Sequence, residues 1–483
     1  MKPPKALTPV MPCVVAALWL LVPSLASAEP SSPRGFYLPA NPSYTIVDSV
    51  RDSIRFTLDH TLKGDTQGHL VSISSFVDPD GEVMGWHDFG NLEGPGWAAN
   101  AVGGAWEIWG MGEFLRQPAW KTKAVAILDH VLDGGFLDQG TGLIRAYRET
   151  TTGKFCLNYK HRSDWFCPGS MAKVAFQLLS FSDDLHGSPR SLRMRAAALA
   201  CSRWLDKHLE PVPNGWFPRR ITPEGKIYRL SPDGGNDHFW QSSADGLYIL
   251  QLQAALTERK LADYTPQLRA KAAVFINAGG IFGSINHDTY DPQENVAYSV
   301  AFRTLLMVSR LLRDPDIRAF AYTNCLAGLD QFKMSQDRNG VATTGLLFME
   351  KSWDTAYLWE NAEAALACFE AAEDSRQTDS KLSRERERDG LVILRAISKH
   401  HIGSKGFLTE GVDWNNHVGQ QHHVAGARFG AIRYTEPFLN NQHIAEPTLF
   451  YLTRLATKSK DGGRTRWSDL EGNVLFQSDR QGL

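Results

Sequence analysis

The chain has 483 residues, enough for one large domain or two to three ordinary ones, and its 43% hydrophobic and 22% charged composition supplies ample material for a core. A net charge of −2 excludes a global attraction to nucleic acid or anionic membrane. Fourteen Trp, thirteen Tyr and twenty-four Phe exceed what the core requires, so some are expected on a surface or cleft.

In chain order, the first 28 residues read as a signal peptide. Lys2 and Lys5 give a positive start, Cys13–Val22 a short apolar run, and Ala26-Ser27-Ala28 a cleavage signal. Ten apolar residues are too few to span a bilayer, and no later stretch is long and apolar enough. The mature protein is therefore expected to be secreted or periplasmic, with no membrane segment.

Beyond this leader, a 3.6-residue apolar period predicts twelve helices, at 43–63, 96–116, 118–133, 168–186, 190–209, 237–258, 263–278, 292–313, 315–333, 352–373, 383–402 and 443–457. Pro118, Pro189 and Pro315 sit at helix starts, where a missing N–H is tolerated. Asp237 and Ser352 have the chemistry of N-caps. Glu373 to Asp389 is a charge run expected to form a solvated turn and a helix start. The tail after Ala456 is polar and shows no helical pattern, which gives an expected division into 1–28 signal peptide, 29–460 helical domain and 461–483 tail.

Five Cys follow the leader, so at least one is unpaired. Cys156 and Cys167 lie in one loop, where an oxidising compartment would allow a disulfide. Cys201, Cys325 and Cys368 fall within apolar helical patterns and read as small buried residues. The sequence holds no CxxC or Cys/His cluster of the structural zinc type.

The links between helices alternate in length. Short ones are Gln117-Pro118, His186 to Pro189 and Asp314-Pro315; long ones run 32 residues at 64–95, 34 at 134–167 and 40 at 403–442. All the long links therefore gather on one face. Each odd helix is followed by a Gly before a short apolar segment, at Gly68, Gly142, Gly215, Gly280, Gly340 and Gly406, with intervals of 74, 73, 65, 60 and 66 residues. Six such units are an internal repeat, and a helical repeat that stops at six favours ring closure.

Six helical hairpins with long loops on one face resemble the (α/α)6 toroid of the six-hairpin glycosidase superfamily, over residues 43–457. The resemblance implies an all-α fold with the even helices as inner ring and the cleft on the long-loop face. It also implies acidic residues near the inner-helix starts as the chemical groups. Glycoside hydrolases, polysaccharide lyases and sugar epimerases share that superfamily. Terpenoid cyclases also form helical toroids, but their DxDD run and repeated Gln-Trp phrases are missing here.

With the even helices inside, their lead-ins converge on one mouth. They are Trp86 to Trp97, Tyr159 to Ser170, Asn236 to Trp240, Asn286 to Asn295, Met349 to Asp354, and Asp413 to His423 with Asn440 to Pro447. An Asp at a helix start also satisfies free N–H groups and the dipole. That leaves the Trp or Tyr beside nearly every acid unexplained. Aromatic faces pack on the C–H face of a sugar ring and carboxylates bind its hydroxyls, so an oligo- or polysaccharide substrate is expected. The expected aromatic surfaces are Trp86, Trp97, Trp165, Trp216, Trp240, Tyr290, Trp353 and Trp414.

Glycosidic hydrolysis needs a protonated carboxyl and a carboxylate. The candidates are Glu93 and Asp237, with Asp291, Glu294 and Glu410 in reserve and His238 placed to tune Asp237. Lys160, Arg162, Arg219, Arg220 and Lys351 at the same mouth suggest a carboxylated or sulfated sugar. A uronate would open β-elimination or epimerisation, using groups such as His161, His238, His287, Tyr290, His417 or His443. His417, His422 and His423 with Asp413 match no zinc motif, and Asp288 with Asp291 could contact calcium, but neither signal is strong enough for a metal or cofactor to be expected. The expectation is an exported glycoside hydrolase. A uronate lyase or sugar epimerase stands second, and a non-catalytic glycan-binding toroid third.

Overall fold

The computed structural model describes residues 44–74, 77, 91–158, 163–228, 243–279, 285, 291, 293–352, 354–402, 406–414 and 442–479. Helix dominates them, in twelve segments where the apolar period predicts them. They are α1 (Ile46–Phe56), α2 (Ala101–Phe114), α3 (Pro118–Asp133), α4 (Pro168–Asp184), α5 (Pro189–His208) and α6 (Gly246–Glu258). The second half holds α7 (Thr265–Asn277), α8 (Asn295–Leu312), α9 (Pro315–Phe320), α10 (Leu358–Ser375), α11 (Ser380–Ser398) and α12 (Ala445–Phe450). Wide π-helical turns prolong α1 to Thr61, α9 towards Phe332 and α12 to Leu455.

The even helices form a closed ring. Each of α2, α4, α6, α8 and α10 packs on the next, and α12 packs back on α2. The odd helices lie outside, each beside its even partner, with α1 beside α12. Burial follows this order. In α6 every residue from Gly246 to Leu256 is enclosed. In α11 one stripe is, running through Ser383, Gly390, Leu391, Leu394 and Ile397. The fold is thus the (α/α)6 toroid.

The repeat glycines share one cause. Gly68, Gly142, Gly215, Gly340 and Gly406 have φ of 84°, 87°, 80°, 76° and 80°, the left-handed region that only Gly enters cheaply. Gly280 lies outside the described residues. The turns these glycines permit close small β-elements after the outer helices. Examples are β1 (Leu62–Gly64) with β2 (Leu70–Ser72), the Leu137 to Ile144 bridge, and β7 (His401–Ile402) with β8 (Phe407–Leu408). Further strands line the long-loop face: β3 (Leu92–Glu93), β4 (Tyr147–Glu149) and β5 (Phe155–Cys156) form one sheet, and β6 (Thr355–Tyr357) pairs with β9 (Gly411–Asp413).

Three expectations need correction. Helix α6 starts at Gly246, with Asp245 rather than Asp237 at the cap position, because Ser243 to Asp245 still turn; Asp237 itself lies outside the described residues. Ser352 caps nothing: Thr355 to Tyr357 are drawn into a strand with Gly411 to Asp413, and α10 starts only after it. Cys156 and Cys167 are buried and not joined by a disulfide, one lying in β5 and one at the start of α4. The polar tail, which carries no helical pattern, is built of strands as far as Asp479. Strands β10 (Thr457–Asp461), β11 (Arg464–Ser468) and β12 (Val474–Asp479) form an antiparallel sheet. Its Trp467 is buried between Phe476 and Phe114, the last residue of α2.

Candidate active site

The ring centre holds charged side chains, most of them set inside the inner helices rather than in their lead-ins. Arg303 of α8 pairs with Glu363 and, at 3.0 Å, with Glu370, both of α10, and stands 3.5 Å from Glu446 of α12. His443, two residues before α12, lies between two acids: Nδ1 is 3.2 Å from Glu107 Oε1 of α2, and Nε2 is 3.5 Å from Glu363 Oε1. The Nδ1 contact is off the line of a good hydrogen bond, so it is an ion pair. Lys173 of α4 reaches Glu363 at 3.9 Å. Its ammonium also sits 5.1 Å from the Tyr248 ring centroid and 5.3 Å from that of Trp359. Trp359 is half-buried and stands edge-on to His443 at 6.3 Å.

Isolated buried charges are expensive, so these groups must neutralise one another. Among the described residues the four carboxylates outnumber Arg303, His443 and Lys173, so full ionisation would leave one negative charge uncompensated. Burial pushes the Glu107 carboxyl up to about 7 against the pull of His443. Burial opposes charge on His443, but Glu107 and Glu363 lift its imidazole to about 9. Burial also opposes charge on Glu363, yet Arg303, His443 and Lys173 hold that carboxyl well below the usual range. Burial raises Glu446 as well. Two carboxyls are thus driven apart around one imidazole, the pattern by which a site separates proton donor from fixed charge. Glu107 Oε2 and Tyr248 Oη have no hydrogen-bond partner among the described residues, so both stay available to another group.

The sequence-predicted residues fall into three groups. Trp86, Asp237, His238, Trp240, Tyr290 and Trp353 lie outside the described residues, as do Lys160, His161, Arg162, His287, Asp288, His417, His422 and His423. A second group is enclosed. Trp216 is fully buried against Phe217 and Phe275, with Nε1 donating to Ser243 O at 2.8 Å, so it offers no face to a sugar. Arg219 and Arg220 are buried, with Arg220 4.3 Å over the buried Trp165 ring, and their charges bear on Asp245. They form no exposed anion-binding patch. Trp414 is buried, its Nε1 donating to Asp354 Oδ1 at 2.9 Å. Glu294 is buried and accepts from Ile285 N at 2.6 Å.

The third group is nearer solvent or held by ion pairs. Lys351 is exposed and Trp97 half-buried against Leu92 and Tyr147. Asp291 is half-buried, donating its N–H to Glu350 and accepting from Ser352 N at 3.0 Å. Glu410 gives its carbonyl to Leu358 N at the start of α10. Glu93 is held by Arg148 and His130, whose pull overcomes burial and keeps the carboxyl ionised below its ordinary range. It lacks the proton a general acid needs. Of the expected residues that are described, His443 alone stands in the central cluster. Glu107, Lys173, Tyr248, Arg303, Trp359 and Glu363 lie within the inner helices rather than in their lead-ins, so a reading of the lead-ins does not include them. The available signal is a charge inside an enclosed helix, such as Arg303 in α8 between Phe302 and Thr304.

Solved structures share this ring over most of both chains. A sugar epimerase from a ruminal bacterium matches with a TM-score of 0.59 at 12% identity, over 84% of this chain and 99% of its own. Cellobiose 2-epimerase from Bacillus thermoamylovorans matches with a TM-score of 0.58 at 11% identity, over 85% and 99%. An unsaturated glucuronyl hydrolase specific for heparin matches at 0.50 and 11%, over 84% and 96%. No family model and no curated protein matches the sequence. At such identities the likeness establishes the fold, the (α/α)6 toroid, and not the reaction.

Proposed function

We propose that the chain is a carbohydrate-active enzyme whose proton transfers run through Glu107 and His443 at the ring centre. The supporting observation is the pair itself: a carboxyl titrating at about 7 beside an imidazole lifted to about 9, clamped by Glu363 and Arg303. Trp359, half-buried beside them, is the aromatic face for a sugar ring. The leader read at 1–28 makes the enzyme an exported one.

Hydrolysis of a glycosidic bond is the first reading. Glu107 keeps a proton near neutral pH and donates it to the leaving oxygen, while Asp237 or Asp291 supplies the carboxylate for water or carbon. Epimerisation or isomerisation is the second. It is favoured by His443, an acid–base group flanked by two carboxylates, and by the sugar epimerases that share the ring. Neutral and uronic oligosaccharides incubated in D2O separate these readings. New reducing ends without an unsaturated product mean hydrolysis, and unsaturated ends mean elimination. Deuterium on a sugar carbon without new ends means epimerisation or isomerisation. A panel bound without turnover would leave a glycan-binding toroid and overturn the proposal.

A further inference from the structure

On the long-loop face, away from the ring centre, three side chains from two elements converge on one point. Asp65 and His69 belong to the turn between β1 and β2, and His130 to the last turn of α3. Asp65 Oδ2 lies 3.1 Å from His69 Nδ1 and 3.2 Å from His130 Nδ1, and the three ligand atoms all lie within 4.8 Å of one another. Two donors of this kind and one carboxylate oxygen, bonded at about 2.0–2.2 Å to a tetrahedral ion, sit a little over 3 Å apart.

The surroundings are arranged around these atoms. Asp65 Oδ1 is occupied by the backbone N–H groups of Gln67 and His69, both at 2.8 Å, which leaves Oδ2 to face the two rings. Behind each ring stands a second carboxylate. His69 Nε2 is 3.6 Å from Asp133, itself held by Arg193 at 2.7 Å, and His130 Nε2 is 3.6 Å from Glu93. A neutral imidazole has a single N–H and cannot donate to carboxylates on both sides. A cation between the two Nδ1 atoms and Asp65 removes the conflict, because each Nε2–H then serves the outer carboxylate, the relay that orients metal-bound His. Arg148 Nη2, 3.4 Å from His130 Nε2, competes for that nitrogen while it neutralises Glu93.

We propose that Asp65, His69 and His130 bind a divalent cation of the zinc class, with Asp133 and Glu93 orienting the two imidazoles. Two nitrogens and one hard oxygen suit zinc or cobalt better than calcium or magnesium, which prefer oxygen throughout. The ion ties the β1–β2 turn to α3. Through Glu93 it also steadies β3, the strand that leads to α2 and its Glu107. Its role is structural, and it takes no part in the proton transfers proposed above.

The test uses the full chain stripped with EDTA and titrated with Zn2+ and Co2+. The expected result is one equivalent of either, cobalt ligand-field bands in the visible, and a Tm about 3 °C higher at a hundredfold excess over Kd. His69→Gln, at a largely buried position, and Asp65→Asn should each weaken binding by at least about 100-fold. Asp133→Asn, behind His69 and partly exposed, should weaken it by about 10–100-fold without disturbing the fold. No stoichiometric uptake by the wild type would overturn the proposal and leave Asp65 as a hydrogen-bond acceptor for two His. Equal uptake by His69→Gln, Asp65→Asn and the wild type would overturn it too, because the ion would then sit elsewhere. Sugar turnover plays no part in these readings, so the proposed function can fail without touching them.

Discussion

His443 makes a quantitative forecast possible. Its imidazole is raised from an ordinary 6.5 to about 9 by Glu107 and Glu363 in spite of burial. A folded-state value above the unfolded one means stability that is fully present below pH 6.5 and lost as pH climbs through about 9. The shift of about 2.5 units corresponds to about 3 kcal/mol at 1.36 kcal/mol per unit. About 2 kcal/mol of that disappears between pH 7.5 and 9.5, a window above the titration of Glu107. Unfolding entropy near 2.1 cal/mol/K per residue gives the 483-residue chain about 1 kcal/mol/K, so the loss is about 2 °C in Tm. Calorimetry on the wild type and His443→Gln at the two pH values should show the wild type falling about 2 °C further than the variant. Parallel falls would mean that His443 has an ordinary pKa and that the central ion pairs are not as described.

Two other outcomes follow from packing. Arg303→Met leaves Glu363, Glu370 and Glu446 without their shared cation inside the ring. A broken buried ion pair costs about 3–5 kcal/mol, so Tm should drop by about 3–5 °C in thermal melts. Gly142→Ala would place a Cβ 2.4 Å from Ala200 O at a φ of +87°, whereas at Gly68, with φ +84°, nothing lies within 4 Å. The first change should cost at least about 2 kcal/mol and the second only the 1–2 kcal/mol of left-handed strain, a difference that urea titration resolves.

The helices were legible because each buries an apolar face at a regular period, and the repeat was legible because the turn at five of its six glycines, Gly68, Gly142, Gly215, Gly340 and Gly406, demands Gly. Ring order came from link lengths, since a two-residue link forces neighbours and a forty-residue one does not. What the period could not show was where a strand takes over a helix start, as Thr355 to Tyr357 do in front of α10. The C-terminal sheet was also missed, although Gly462-Gly463, with φ of 51° and 93°, is a hairpin signal. The site was half legible. His443 lay in a searched lead-in, but Glu107, Arg303 and Glu363 sit inside helices whose apolar neighbours made them look like packing. Trp216 and Arg219 misled for the opposite reason: a loop-like, Pro-containing phrase turned out to be enclosed.

The proposed chemistry is tested most directly by turnover in Glu107→Gln and His443→Asn against the wild type, on whichever sugar of the panel the wild type converts. Glu107→Gln keeps the shape and removes the proton, and His443→Asn keeps a hydrogen-bonding group and removes the acid–base function. If Glu107 and His443 carry the proton transfers, each variant, folded by circular dichroism, loses at least about 100-fold in kcat. Turnover within a few-fold of the wild type in both folded variants would contradict it and place the chemistry at the mouth of the ring instead.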